Sequence, residues 1–295
     1  MATLSGKTLF ISGASRGIGL AIALRAARDG ANVVIAAKTA EPDPRLPGTI
    51  HTAAAEVEAA GGRALALQVD IRDEDAVQAA VARAAEHFGG IDILVNNASA
   101  IGLTRTPDTP LKRYDLMMDI NVRGSFVCAQ ACLPHLQRAA NPHILSLSPP
   151  LNLDPKWLGV HAAYTTSKYA MSLIALGLAE ELKAQGIAVN TLWPQTIIAT
   201  SALNVASVGL GEMGRKPEVM ADAAWHVLTA DARSLTGRSL VDEAVLRQVG
   251  VTDFSGYLVK PGVTPIIDLF LDPAEGPVSE AALRAAAALA PHPTR

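Results

Sequence analysis

From the N-terminus onward, short runs that are apolar throughout alternate with longer segments whose apolar residues recur at helical spacing. Lys7–Ser12 (KTLFIS) is the first run, and glycines follow it at once; Ile18–Arg28 then carries the helical pattern, with Gly30 as its natural stop. Asn32–Ala37 (NVVIAA) and Ala64–Val69 (ALALQV) predict a second and a third strand around an alanine-rich helix from His51 to Ala60. Asp75–Phe88 predicts a helix, Ile91–Val95 (IDILV) a strand, Tyr114–Arg138 a helix, His143–Leu147 a strand, Ala162–Lys183 a helix and Ile187–Leu192 a strand. A strand covered on both faces needs no polar side, so apolar runs separated by helices predict a parallel sheet between two helical layers. The expected fold is α/β: a Rossmann-type doubly wound parallel sheet, three layers, one domain.

Two stretches break the alternation. Glu41–Gly48 (EPDPRLPG) carries three prolines and a glycine and predicts a structured loop beyond the second strand. Ala199–Lys216 is rich in glycine and small residues without a period, which suits either a mobile lid or an ordinary surface loop. Residues 266–295 read as a C-terminal tail, either a short docked helix or a partly disordered segment.

Composition narrows the partners. The chain has 295 residues, 18% charged, with a formal net charge of -3. That balance gives no general reason to expect nucleic acid or an anionic membrane, so a small molecule is the first expectation. Cys128 and Cys132 are the only cysteines, four apart in a predicted helix; a reactive or metal-binding pair is possible in principle, but buried thiols are favoured and no metal is expected. Neither a cleavable leader pattern nor an apolar run near ~18 residues is present, so a soluble cytoplasmic protein without a membrane span is expected.

The stretch Phe10–Leu20 (FISGASRGIGL) interrupts an apolar run with Gly13, Gly17 and Gly19. A strand that turns into a helix N-terminus presents unpaired N–H groups and the positive dipole end to an anion, and glycines let backbone approach a pyrophosphate closely. The spacing differs from the general dinucleotide fingerprint, G-x-G-x-x-G. At the end of the second strand an acid normally holds a free ribose 2′-hydroxyl, whereas a 2′-phosphate calls for a cation. Here Ala37-Lys38-Thr39 supplies no acid, and Arg16 stands inside the glycine loop. If these two cations converge, the cofactor is NADP, with NAD as the alternative should they be solvated surface charges.

SGASRGIG (Ser12–Gly19), NNASA (Asn96–Ala100), Asn121 and YTTSK (Tyr164–Lys168), in this order and spacing, resemble the short-chain dehydrogenase/reductase family over residues 5 to 200. Tyr164 and Lys168 are four apart on a predicted helix and so share a face. Lowering a phenol from a pKa near ~10 by about three units takes roughly 4 kcal/mol, which a neighbouring ammonium and an oxidised nicotinamide can supply. The resemblance implies that Tyr164 exchanges a proton with the substrate oxygen, that Lys168 also holds the nicotinamide ribose, and that Asn121 keeps a water and the lysine in a relay. It also implies a serine at the end of the fifth strand. LSLSPPLNL offers Ser146 and Ser148, and Ser148 is the better match, although it precedes Tyr164 by 16 residues, which implies a small insertion in Pro149–Gly159. Cofactor contacts carried over by the resemblance are Gly13, Ser15, Arg16, Gly17, Ile18, Gly19, Lys38, Asp70, Ile71, Asn97, Ala98, Tyr164, Lys168, Pro194, Thr196 and Ile197. Residues 1–265 would then form the NAD(P)-binding catalytic domain.

A closer resemblance, carried by AAKTAEPDPRLPGTI, HILSLSPPLNL, TLWPQTIIAT and VDEAVLRQVGVTDFSGYLVKPG, is to the hydroxysteroid dehydrogenase-like branch. Larger relatives carry a sterol-carrier-like domain, and none is expected within the residues up to Arg295. The expected function is an NADP(H)-dependent oxidoreductase for an apolar alcohol and its ketone or aldehyde; Leu203, Val205, Val208 and Leu210 would suit such a substrate. The rival expectation is a catalytically silent cofactor-binding regulator or scaffold with the same fold. Relatives pair through the helices bearing Asn121 and Tyr164, which implies a homodimer or homotetramer.

Overall fold

Seven strands pair in parallel in the order β3-β2-β1-β4-β5-β6-β7: β1 Thr8–Ser12, β2 Asn32–Ala37, β3 Arg63–Gln68, β4 Ile93–Asn96, β5 His143–Ser146, β6 Ala188–Trp193 and β7 Ser239–Val241. This arrangement comes from a computed structural model, which describes residues 2–43, 46–201, 203 and 210–272. The helices are α1 Gly17–Ala27, α2 Ile50–Ala59, α3 Glu74–Phe88, α4 Leu111–Met117, α5 Ser125–Leu136, α6 Pro155–Val160, α7 Ala162–Leu182, α8 Glu218–Thr229 and α9 Asp242–Gln248. The expectations placed on Val205, Val208 and the tail beyond residue 272 lie outside the described residues.

Successive side chains of a strand point to opposite faces, and the core divides accordingly. Leu9, Ile11, Val33, Ile35, Ile93 and Val95 pack with Ile22 of α1, Val57 of α2, Met220 and Val227 of α8 and Leu246 of α9. Their neighbours Phe10, Val34, Ala36 and Leu94 turn the other way, onto Val81 of α3, Cys128 of α5 and Leu182 of α7. The three-layer, doubly wound sheet expected from the sequence is what forms.

Local chemistry sets several helix ends. Thr49 and Thr52 make a capping box before α2, and Asp73 caps α3 by accepting from Ala76 N at 3.1 Å. The stretch expected as one helix from Tyr114 to Arg138 is instead α4, a π-helical turn over Met118–Gly124, and α5. Beyond the sixth strand, the sequence pattern had predicted neither α8, β7 nor α9.

Candidate active site

The order of strands reverses between β1 and β4, and the crevice beyond the carboxyl ends of a doubly wound sheet opens there. A cavity of about 620 Å³ occupies that crevice. At one end it is lined by the glycine turn after β1, and at the other by Tyr164 and Lys168 of α7.

Gly13 sits at φ +69°, and a Cβ there would lie 2.8 Å from Ala98 Cα; a Cβ on Gly19 would lie 2.5 Å from Asn97 Nδ2. These two glycines therefore admit the segment after β4, a close approach within the protein itself. Asn97 Nδ2 locks the contact by donating to Ser12 O at 2.9 Å and Gly13 O at 3.0 Å. Helix α1 starts at Gly17 with no side-chain cap and no acid in its first turn. Its first residues, Gly17 and Ile18, line the cavity, so the positive end of the helix dipole lies at the cavity wall.

Lys38, Asp70 and Ile71 line the same end. Lys38 Nζ stands 3.3 Å from Asp70 Oδ2, and Arg72 grips the same carboxylate with two nitrogens. Arg72's hydrogen bonds hold the Asp70 carboxyl well below the usual carboxylate range. Arg16 donates to the carbonyls of Pro47 at 3.0 Å and Gly48 at 2.5 Å, so its guanidinium braces the loop after β2. Both cations line the cavity wall, Lys38 paired with Asp70 and Arg16 within reach of the Asp43 charge. Arg72 escaped the sequence reading because nothing in QVDIRD distinguishes a ligand for Asp70 from a solvated charge.

At the other end Tyr164 and Lys168, one turn apart on α7, are 5% and 2% exposed. Lys168 Nζ donates to Leu147 O at 2.6 Å and lies over the Trp193 ring. Burial pushes the Tyr164 phenol above its ordinary value, with the nearby Asp268 carboxyl adding to the effect. Burial also pushes the Lys168 ammonium down, to about 7, against the opposing charge of Asp268. Low dielectric disfavours both charged forms, so burial moves the phenol up and the ammonium down.

The remaining expected residues stand around this centre. Gly13, Ser15, Arg16, Gly17, Ile18, Asn97, Ala98, Pro194 and Ile197 line the cavity, whereas Gly19, Asn121, Ser148 and Thr196 do not. The Ser148 hydroxyl is fully buried with no hydrogen-bond partner, while Ser146 lies within the sheet, paired with Asn96 and Thr191. Asn121 sits in the π-helical turn. Its Oδ1 accepts from Ala100 N at 2.8 Å, and its Nδ2 donates to Ala100 O at 3.0 Å and Ser167 Oγ at 2.9 Å. These bonds clasp α7 to the strand β4 exit; none of them is a direct bond to Lys168. Among the described residues no cluster of His, Cys, Asp or Glu could hold a metal, and no helix is long and apolar enough to cross a membrane.

A family profile described as short chain dehydrogenase matches residues 7–207. This chain belongs to the short-chain dehydrogenase family. It is 57% identical over 270 residues to hydroxysteroid dehydrogenase-like protein 2 of Danio rerio, covering 91% of this chain and 65% of that one, which places it in the hydroxysteroid dehydrogenase-like branch. The chain thus spans just under two thirds of the length of the curated relatives it matches. A crystal structure of a short chain dehydrogenase from Mycobacterium thermoresistibile shares 55% identity at a TM-score of 0.88, over 94% of this chain and 99% of the other. Two more distant crystal structures carry cofactors: a Mycobacterium paratuberculosis short chain dehydrogenase bound to NAD (26% identity, TM-score 0.71, 83% and 99% covered) and a metagenomic short-chain oxidoreductase in complex with NADP (28%, 0.66, 81% and 97%).

Proposed function

We propose that the chain is an NADP(H)-dependent oxidoreductase that interconverts an apolar alcohol and its ketone or aldehyde, with Tyr164 as the acid/base group. The observation that carries this reading is one cavity shared by the uncapped N-terminus of α1 and the buried Tyr164–Lys168 pair. Family membership and the cofactors held by two relatives support a nicotinamide. Ala37 in place of an acid at the end of β2, with Arg16 and Lys38 in the wall, favours the phosphorylated form.

The donor set fits such a group. Gly13, Ser15 and Gly17 would face the pyrophosphate, Asp70 the adenine, Asn97 the adenosine ribose, Lys168 the nicotinamide ribose, and Pro194 and Ile197, with the buried Thr196 between them, the carboxamide. When bound, the nicotinamide supplies or takes the hydride. Burial keeps the Tyr164 phenol protonated near neutrality, which is the form that donates to a carbonyl oxygen as it is reduced. A protonated Lys168 would offset the phenolate left behind, and Ser148 is proposed as the donor to the substrate oxygen, for which its fully buried hydroxyl would have to turn into the cavity that its neighbour Leu147 lines. Asn121 is a positioning residue that holds the Tyr164 turn against Ala100 through Ser167.

Exposed Leu111 and Tyr114 on α4, Phe126 on α5 and Leu173 on α7 suit pairing of copies into a homodimer or homotetramer. The buried free thiols suit a reducing, cytoplasmic setting.

The test is titration with NADPH and NADH, followed by single-turnover oxidation of bound NADPH with a panel of apolar ketones. At least about tenfold tighter NADPH binding, ~1.4 kcal/mol, is expected, and Lys38→Ala and Arg16→Ala should erase the gap. Tyr164→Phe should leave binding intact and slow turnover by ~10²–10⁴. Equal affinity for the two cofactors removes the phosphate-site assignment; tight binding with no turnover on any ketone leaves a silent binding protein.

A further inference from the structure

The last described residues double back beside the catalytic tyrosine. Ile197 N donates to Ile266 O at 3.0 Å, Asp268 N to Gln195 O at 3.1 Å, Trp193 Nε1 to Leu269 O at 2.9 Å and Asn152 Nδ2 to Phe270 O at 3.3 Å. Residues 266–272 thus form a strap tied to the segment after β6 and to the insertion before α6. Phe270, 2% exposed, holds φ +72°, the one positive φ outside glycine among the described residues. An aromatic L-residue stays in that region only where its surroundings over-determine it. Here they do, because its ring centroid lies 5.2 Å from Tyr169, 5.8 Å from Trp193, 6.1 Å from Trp157 and 6.3 Å from Tyr164.

That path brings one carboxyl into the wall of the reaction cavity. Asp268 lines it between Ile267 and Leu269, in company with Tyr164 and Lys168. One of its oxygens accepts from Leu269 N at 2.7 Å, and among the described residues no hydrogen bond reaches the other. Lys168 Nζ donates to Leu147 O and approaches Met171 Sδ, and among the described residues no hydrogen bond or ion pair joins it to Asp268. Asp268 is half-buried in the wall, so a donor on a ligand in the cavity can reach its open oxygen, and an acceptor left unpaired once a ligand displaces water there is unfavourable.

We infer that Asp268 is a specificity-determining residue: its unpartnered oxygen accepts a hydrogen bond from a hydroxyl of the substrate, so the substrate class is an apolar alcohol or ketone that carries a further hydroxyl. This deepens the oxidoreductase reading and rests on it. An analogue without the extra donor leaves the acceptor unpaired, which is how a site rejects a molecule of nearly the same shape.

The experiment is calorimetric titration of 1-octanol and 1,2-octanediol into the full chain at pH 8, with and without saturating NADPH, for wild type, Asp268→Asn and Asp268→Leu, with thermal melts to confirm folding. The wild type should bind the diol at least about tenfold tighter, the range of a charge-assisted hydrogen bond. Asp268→Asn, which keeps one acceptor, should retain part of that preference, and Asp268→Leu should bring the two probes within about threefold. An unchanged ratio in a folded Asp268→Leu protein overturns the inference, as does wild type that binds neither probe. NADPH titration on the same samples separates the two readings: a diol preference without NADPH binding sinks the oxidoreductase assignment alone, and NADPH binding without a diol preference sinks the Asp268 assignment alone.

Discussion

Gly13→Ala tests the inner wall of the cofactor crevice. The substitution adds one methyl, and the structure supplies two separate costs for it. At φ +69° an L-residue pays the left-handed penalty of about 1–2 kcal/mol. The new Cβ would also lie 2.8 Å from Ala98 Cα and 3.1 Å from Ala98 N, backbone atoms that cannot rotate away, and such overpacking costs about 1–3 kcal/mol more. The sum is about 2–5 kcal/mol. Gly89 is the internal control: it ends α3 at φ +87° with nothing within 4 Å of a Cβ position, so Gly89→Ala carries the first cost alone. At about 2 °C per kcal/mol for a chain of this size, the melting temperature should fall by ~2–4 °C for Gly89→Ala and by ~4–10 °C for Gly13→Ala. Thermal melts of both variants beside wild type read the difference directly. A Gly13→Ala protein no less stable than Gly89→Ala would refute the close approach of Ala98 to the turn.

Three further outcomes follow from burial and capping. Burial holds the His143 imidazole down to about 4 from its ordinary 6.5, so the unfolded chain binds the proton that the folded one refuses. Its contribution is complete above pH ~6.5 and is lost as pH falls towards 4, at up to ~1.4 kcal/mol per pH unit, so His143→Gln should flatten the fall in melting temperature between pH 6.5 and 4.5; an unchanged slope refutes it. Thr49→Ala removes the side-chain acceptor of Thr52 N and should cost ~1 kcal/mol by melting, against no measurable change for the exposed Thr3→Ala. Burial raises the Cys128 thiol to about 12 and Cys132 well above its ordinary value, so neither should react with a thiol-specific disulfide reagent until denaturant is added; rapid labelling of the native protein contradicts the packing of α5.

The alternation of apolar runs and helical periods was enough to find β1 to β6 to within about two residues at either end. Each of those strands is covered on both faces or long enough to show its composition. Strand β7 was not legible, since Ser239–Val241 is three half-buried residues with Arg238 before and Asp242 after. The π-helical turn was also hidden. Its register depends on Asn121 clasping Ala100, and on Gly124, where a Cβ would stand 2.6 Å from Ile71 Cδ1. Neither contact leaves a trace in the local spacing of MDINVRG.

For the site, the sequence alone determined which chemistry-bearing residues would meet: a glycine turn ahead of α1, no acid at the end of β2, and Tyr164 and Lys168 on one helical face. These are local facts of spacing and strand order, and the rule that crevices open at the carboxyl ends of strands turns them into a place. Tertiary structure alone decided the electrostatics of that place. Whether Arg16 braces a loop, whether Arg72 captures Asp70, and whether Asp268 faces Lys168 across 100 residues of chain depend on where distant segments pack. Burial strength, and with it every displaced proton affinity, is a property of that packing and of no single stretch of sequence.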